Sequence, residues 1–279
     1  TLTKKPVYTI YNGYDPDDFA ETGSSEYCGA KLVILYAGTI YPAIRDPSPL
    51  YRGLVELCKE GKISKGDVKV LFCGRCGQAA ELAKKEGAED FVEYIGFLPH
   101  EKTIALEKAA DVVLFLGHDS PESRGVLTGK LFEYLYCAKE IWAVGISRKM
   151  QAGEFIEKAE AGKVFFTDVE KIKAAVMEKL LQKNSGAVIE NKKDTEFIKQ
   201  FERKAQAEFL LEKFMEKINK ENILLISLNA PYDGVAHAGG KICNYYTKKF
   251  IAQGKKVTII SEAEKYEEKK IIEDKEKYG

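Results

Sequence analysis

Thr128-Gly129-Lys130-Leu131-Phe132-Glu133-Tyr134-Leu135 lies between two strongly apolar runs, Val112-Val113-Leu114-Phe115-Leu116 before it and Ile141-Trp142-Ala143-Val144 after it. Both runs are short and rich in β-branched or bulky side chains, the pattern of strands buried in a parallel sheet. The stretch between them reads as a loop opening a helix. Gly129 lets backbone approach a ligand, and the first helical N–H groups point at whatever lies in front of them. Lys130 adds a positive charge there, and Glu133 follows one turn further in. Helix amides and a lysine suit an anion, and a carboxylate one turn away can accept two hydroxyl hydrogen bonds. That combination fits a nucleotide diphosphate and its ribose. The competing reading is an ordinary capped helix packed on a sheet, with Glu133 facing solvent.

Outward from this stretch, 279 residues allow one large domain or two ordinary ones. The composition, 45% hydrophobic and 31% charged, is that of a soluble globular protein. Lys plus Arg equals Asp plus Glu at 43 each, so global charge predicts no nucleic-acid partner and any anion site must be built locally. No apolar run approaches the roughly 18 residues needed to span a bilayer. The segment Thr1-Leu2-Thr3-Lys4-Lys5-Pro6 lacks a signal peptide's apolar core, and the opening on Thr1 leads us to expect a processed chain or a fragment. Six cysteines (Cys28, Cys58, Cys73, Cys76, Cys137, Cys243) without a framework spacing fit reduced thiols in a cytoplasm. Cys73-Gly74-Arg75-Cys76 is a lone CxxC, weak support for zinc or redox chemistry; Cys73 is expected to end a buried strand.

From Leu32 onward short apolar runs alternate with amphipathic segments. Strands are expected at 32–36, 68–72, 92–95, 112–116, 141–144 and 164–166. Helices are expected at 50–60, 78–86, 102–109, 131–138 and 154–159. This βαβαβ rhythm predicts an α/β fold with a doubly wound, mostly parallel sheet. Ligands of such sheets bind beyond the carboxyl ends of the strands. Those exits are read as Ala37-Gly38-Thr39, Gly74-Arg75-Cys76-Gly77, Gly96-Phe97-Leu98-Pro99 and Gly117-His118-Asp119. Thr167 and Glu170 are read as a capping box opening a helix to about residue 182. Asn184-Ser185-Gly186 breaks it. One long amphipathic helix is then expected over 195–218, with Phe197, Phe201, Ala205 and Phe209 on a stripe that something must cover. The pattern restarts after Glu221: a strand at 223–227, a glycine loop over Val235–Gly240, a helix to about 252 and a strand at 256–260. The glycine loop also reads as a mere flexible turn. Residues 262–279 form a Lys/Glu-dominated tail, solvated or disordered. A single βαβ unit cannot make its own core, so this one must dock on the main domain or belong to something absent.

Several segments in order now carry a resemblance: Asn12-Gly13-Tyr14-Asp15, Tyr36-Ala37-Gly38-Thr39 with Arg45, Leu71-Phe72-Cys73-Gly74, Tyr94-Ile95-Gly96-Phe97, and 128–133. Together they resemble the C-terminal, donor-binding half of retaining GT-B glycosyltransferases (family 4-like, group 1), the enzymes that build capsule, lipopolysaccharide or cell-wall glycans from nucleotide sugars. The match covers about residues 7–219. Residues 221–261 resemble the opening βαβ of a GT-B N-terminal domain, so the expected organisation is 1–219, 221–261 and a charged tail, 262–279. The resemblance implies a Rossmann-like fold whose long last helix returns to a first domain not contained in this chain.

Site residues follow from the same resemblance. Glu133 matches the ribose-binding glutamate. Arg45 and Lys130 match the cations on the diphosphate, supported by amides around Thr128 and Gly129. Gly38 and Thr39 would leave room for phosphates, Gly74 lines the neighbouring exit, and the backbone near Phe97 and Leu98 would hold the base. His118 lies where a donor sugar would sit, although His118-Asp119 also reads as simple loop polarity. Arg45 beside Asp46 also reads as a local ion pair. The family's acidic residue eight positions before the ribose glutamate is Gly125 here, with Glu122, Ser123 and Arg124 as the nearest substitutes.

The implied chemistry needs no metal and no cofactor. Helix amides and Lys or Arg meet the charge on the leaving diphosphate, and front-face attack by the acceptor gives retention. Expected partners are a nucleotide sugar, a glycan or lipid-linked acceptor, and the missing N-terminal domain from the same or a neighbouring chain. The expected location is cytoplasmic, with peripheral membrane attachment of the parent protein compatible. Two other readings stay open: a non-catalytic nucleotide-sugar-binding or scaffold module of a polysaccharide-assembly protein, and a GT-B nucleotide-sugar epimerase. The isolated chain is expected to bind donor without transferring sugar.

Overall fold

The computed structural model describes residues 8–20, 31–41, 44–185, 193–215, 222–227 and 238–261. Two units are distinguished, Gly13–Lys199 and the pairing of Thr1–Asn12 with Gln200–Gly279. The first is built on six parallel strands: β1 (Leu32–Thr39), β2 (Val68–Arg75), β3 (Val92–Gly96), β4 (Val112–Leu116), β5 (Ile141–Val144) and β6 (Gly162–Phe166). Their order in the sheet is β3-β2-β1-β4-β5-β6. The helices α1 (Ser48–Lys59), α2 (Gly77–Glu86), α3 (His100–Ala109), α4 (Gly129–Cys137), α5 (Gln151–Lys158) and α6 (Val169–Asn184) connect or follow these strands.

β1 shows why both faces are covered. Leu32, Ile34 and Tyr36 share one core with Leu50 and Leu54 of α1 and Ile172 and Val176 of α6. The alternate residues Val33, Leu35 and Ala37 share another with Leu106 and Ala110 at the end of α3. Successive strand side chains point to opposite faces, so an unbroken apolar run demands a layer on each side. This is the doubly wound α/β fold that the sequence pattern predicts. The order reverses between β1 and β4, where ligand crevices of such sheets form.

β1 pairs with β2 over its whole length, Leu32↔Val68 to Thr39↔Arg75, but with β4 only at Ile34↔Val112 and Leu35↔Val113. Gly38 and Gly74 are therefore partners inside the sheet, not loop residues beyond it. Gly74 has φ +115°, and a Cβ on it would lie 2.2 Å from the Gly38 carbonyl oxygen. Close backbone approach explains this glycine without a ligand.

The expected capping box is replaced by a different cap. Asp168 precedes α6, and its Oδ1 accepts the Lys171 N–H at 3.1 Å. A carboxylate reaches the third amide without help from Glu170. The single helix expected over 195–218 is instead α7 (Thr195–Lys199) and α8 (Arg203–Met215). The helix breaks between Lys199 and Arg203, with Phe201 in the break, so Phe197, Phe201 and Phe209 do not form one helix face. Phe197 packs edge-on against Phe155 at 5.6 Å, whereas Phe201 meets Tyr11 at 5.9 Å and Phe209 meets Tyr8 at 5.8 Å.

In the second unit, β7 (Asn222–Ser227) and β8 (Lys256–Ser261) pair in parallel, linked through α9 (Ala238–Ala252). Ala207 and Leu211 of α8 pack with Tyr246 and Phe250 of α9, so the βαβ unit gains a helical cover. Gln206 Nε2 donates to the Asn12 carbonyl at 3.3 Å. Gly239 and Gly240 belong to the first turn of α9, not to the loop expected there. The expectations for residues 1–6, 235–237 and 262–279, and for Cys28 and Gly186, lie outside the described residues.

Candidate functional site

The site is built around α4. Leu131, Phe132 and Leu135 are fully buried, which fixes the helix on the sheet. Tyr134 sits where β1 has lost β4 as a neighbour: its hydroxyl accepts the Ala37 N–H at 3.1 Å and donates to the Ala37 carbonyl at 3.3 Å. The phenol thus completes a strand edge that water would otherwise have to satisfy. At the other end, Lys193 Nζ donates to the carbonyls of Leu135, at 3.0 Å, and of Ala138. A lysine on the orphan carbonyls of a helix terminus satisfies them and opposes the dipole. Tyr136 stacks on Tyr14 with ring centroids 4.3 Å apart.

At the amino end, Thr128 precedes the helix in an extended conformation and its side chain makes no cap hydrogen bond. Gly129 is the first helical residue, followed by Lys130. Residues 130, 133, 134 and 137 recur at three- and four-residue spacing on one face. Lys130 Nζ lies 2.8 Å from Glu107 Oε1 and 2.8 Å from Glu133 Oε2, and retains 28% side-chain exposure. His100 Nε2, at the start of α3, lies 3.7 Å from Glu133 Oε1. Glu107 is fully buried, and its second oxygen faces the Cys137 thiol at 3.9 Å.

Each charge reflects these neighbours. Burial pushes the Glu107 carboxyl up, against the pull of Lys130. Burial also opposes the Lys130 charge, but Glu107 and Glu133 outweigh it and hold the ammonium well above the usual lysine range. For Glu133 burial again raises the pKa, but His100 and Lys130 win and hold the carboxyl at about 2. A buried pair of this kind costs about 3–5 kcal/mol to break by removing one partner, so Lys130 is part of the fold as well as a candidate ligand group.

Arg45 is also engaged, though not with Asp46. Its Nη1 donates to the Thr39 carbonyl at 2.6 Å and to the Tyr36 hydroxyl at 3.2 Å, and its guanidinium lies 5.0 Å from the centre of the Tyr41 ring. Asp46 instead accepts the Ser48 N–H at 2.8 Å at the start of α1. Arg45 is thereby anchored to the carboxyl end of β1. Phe97 follows β3 and is 80% exposed, whereas Leu98 packs into the core beside Val33 and Leu35. His118 is exposed beyond β4, and Asp119 beside it accepts the Ser147 N–H at 3.0 Å. That bond ties the β4 exit to the β5 exit, a structural task for half of the His118-Asp119 pair.

Gly38, Thr39, Gly74, Arg45, Phe97, Leu98, His118 and the Thr128–Glu133 turn all belong to the carboxyl end of the sheet. Lys130 and Glu133 are brought into direct contact. The CxxC is packing: Cys73 and Cys76 are both buried, and the Cys76 thiol donates to the Gly38 carbonyl at 3.0 Å. Glu107 and His100 escaped the sequence reading. The signal was available in α3, whose buried positions Thr103, Ile104, Leu106 and Glu107 form an i, i+1, i+3, i+4 stripe with a carboxylate in it. A cavity of about 420 Å³ opens at the opposite, amino end of β4, β5 and β6. Several of its charges are paired with one another, as in Lys163–Glu178 and Lys183–Asp111, each at 2.6 Å. Among the described residues no three His, Cys, Asp or Glu side chains converge as metal ligands, and no helix is long and apolar enough to cross a membrane.

No protein-family model matches this sequence, and neither does any curated protein. Solved structures do match in shape. Anabaena HepE in complex with UDP superposes with a TM-score of 0.51 at 14% identity, over 74% of this chain and 57% of that one. The apo form of the lipopolysaccharide outer core galactosyltransferase WaaB gives a TM-score of 0.47 at 15% identity, over 76% of this chain and 56% of that one. This chain therefore spans a little over half the length of either protein. Its six-stranded parallel sheet with flanking helices is the Rossmann-like fold of GT-B glycosyltransferases, the family that the sequence resembles.

Proposed function

We propose that the first unit binds a nucleotide diphosphate sugar at the crevice where β1 and β4 part, as the donor-binding half of a retaining, metal-independent glycosyltransferase. The observation that carries this reading is the contact between Lys130, on the first turn of α4, and Glu133, one turn further in, beside the carboxyl end of β1. Glu133 would accept hydrogen bonds from the ribose hydroxyls. The amides at Thr128 and Gly129, with Lys130 and Arg45, would meet the diphosphate. Phe97, exposed next to Leu98, offers an apolar surface for the base. The shared fold with HepE, which was solved with UDP, supports a nucleotide as the ligand class.

In this reading the protein stabilises the departing diphosphate electrostatically, with fixed cations and amides in place of a metal. A glycan or a lipid-linked saccharide is the proposed acceptor, delivered by a second GT-B domain, and His118 would face the donor sugar. Polysaccharide assembly in the cytoplasm, at the membrane surface or free of it, is the corresponding setting.

Calorimetric titration with UDP, GDP, ADP and dTDP and their glucose conjugates, with divalent metal and again with a chelator, tests the binding step. Saturable binding of at least one of them is expected. A strict need for magnesium or manganese would overturn the metal-free site, and no binding by any of them would overturn the donor-site reading.

A further inference from the structure

Glu107 has no role in the proposed contacts with donor, yet among the described residues no other charged side chain is fully buried. Its cationic partner is Lys130, 2.8 Å away, the same ammonium that the donor-site reading offers to a diphosphate. We infer that a bound nucleotide sugar draws Lys130 away from Glu107, and that Glu107 takes up a proton from solvent as it does so. This inference rests on the donor-site reading.

The case is one of donors and charges. An ammonium has three N–H groups, and two are committed to carboxylates at 2.8 Å. A diphosphate diester adds two negative charges to a site where Glu107 and Glu133 already share one lysine. Neutralising a carboxylate relieves that excess. Glu133 is the poorer candidate, because His100 also supports its charge from 3.7 Å and the ribose requires an acceptor there. Glu107 has the opposite setting: it is sealed from water, and its other oxygen meets only the Cys137 thiol at 3.9 Å. Without Lys130 it would be an uncompensated buried charge, which proteins avoid by neutralisation.

The titratable groups around Glu107 are Lys130, Glu133, Tyr134 and Cys137 on α4, His100 on α3 and Cys73 on β2. Burial pushes Tyr134, Cys137 and Cys73 up, so they are already protonated at neutral pH. Burial pushes Glu107 up as well. Lys130 and His100 hold Glu133 ionised, so among these buried groups Glu107 is left to gain a proton.

The test is calorimetry with the tightest-binding of UDP-, GDP-, ADP- and dTDP-glucose, near neutral pH, in two buffers of different ionisation enthalpy. The diphosphate of a nucleotide sugar does not titrate there, so any proton taken up goes to the protein. About one proton per nucleotide is expected, with affinity rising about tenfold per unit fall in pH. Glu107→Gln, which keeps shape and an acceptor, should abolish the uptake, whereas His100→Gln should retain it. Measurable binding with equal heats in both buffers would show that Glu107 takes up no proton, which overturns the inference and leaves the donor site standing. Uptake that survives in E107Q but vanishes in H100Q also overturns the inference. If no nucleotide sugar binds, this inference falls with the donor site. Should E107Q not fold, wild type and H100Q decide the matter.

Discussion

The Tyr134 hydroxyl holds both polar groups of Ala37, accepting its N–H at 3.1 Å and donating to its carbonyl at 3.3 Å. Because β1–β4 pairing stops at Leu35↔Val113, this one phenol occupies the place of a neighbouring strand and sets how far α4 stands from the crevice. Tyr134→Phe leaves two buried backbone groups unpaired. A loss of about 1–3 kcal/mol in unfolding free energy is expected, measured by urea titration. A variant as stable as wild type would mean that water restores the ladder and that Tyr134 does not position the helix.

Glu133→Ala should fold, because Lys130 keeps Glu107 as its partner. Charge-assisted hydrogen bonds to ribose hydroxyls contribute about 1.5–3 kcal/mol each before the displaced water is counted. A rise of about ten- to a hundredfold in the dissociation constant of the nucleotide follows. An unchanged constant, with the fold intact by circular dichroism, would return Glu133 to a structural role.

The strands could be read in the chain because each is an uninterrupted apolar run, and a run buried on both faces needs two helical layers. The crevice was legible for a related reason: glycine, lysine and glutamate follow one such run at helical spacing. What sequence could not supply was register. Gly38 and Gly74 look like strand exits, and only their pairing across β1 and β2 shows that one glycine is demanded by the other's carbonyl. Partners distant in sequence were equally hidden. Arg45 stands next to Asp46 in the chain but bonds to Thr39 and Tyr36, and Lys130 finds Glu107 on another helix. Glu107 was legible as well, on the buried stripe of α3, whereas the break between α7 and α8 leaves no mark in the apolar pattern.

Gly74→Ala should destabilise the protein well beyond an ordinary glycine replacement. The backbone conformation, φ +115°, is one that side chains rarely adopt, and the new Cβ would lie 2.2 Å from a fixed carbonyl. Strain of this kind costs about 1–3 kcal/mol before the clash is added. Gly61→Ala is the comparison: it shares a positive φ, +68°, but has no atom within 4 Å. Thermal unfolding of the two variants side by side should show the larger drop for Gly74→Ala; equal drops would mean that the β1–β2 contact yields easily.

Glu133 gives a pH signature in the stability of the free protein. Burial opposes its charge, but His100 and Lys130 hold the carboxyl at about 2, below the ordinary 4.5. A depressed folded pKa contributes stability that is complete above the unfolded value and is lost as pH falls toward the folded one. The stability gap between wild type and Glu133→Gln, which does not titrate, should therefore shrink as pH is lowered from about 4.5 to about 2. Urea titrations across that range measure it. A gap independent of pH would show that the Lys130 and His100 contacts do not favour the ionised form.

Arg45 separates a phosphate-binding role from a structural one. Its Nη1 is spent on Thr39 and Tyr36, but a guanidinium carries five N–H donors in a fixed plane, so its remaining edge can serve an anion without any rearrangement. The backbone anchor does not depend on Arg45 alone, because the Tyr36 hydroxyl also donates to the Thr39 carbonyl, at 2.9 Å. Arg45→Ala should therefore leave the unfolding free energy within about 1 kcal/mol of wild type, the scale of one net hydrogen bond. Its effect belongs in affinity. Binding of nucleoside diphosphates should weaken by about tenfold or more, the value of a charged hydrogen bond. Binding of the corresponding nucleosides, which lack phosphate, should change little. Added salt should narrow the difference between variant and wild type, because screening weakens the contact that the variant lacks. Calorimetry with UDP and uridine at low and high salt distinguishes the cases. Equal losses for nucleotide and nucleoside would mean that Arg45 shapes the β1 loop and never touches a phosphate.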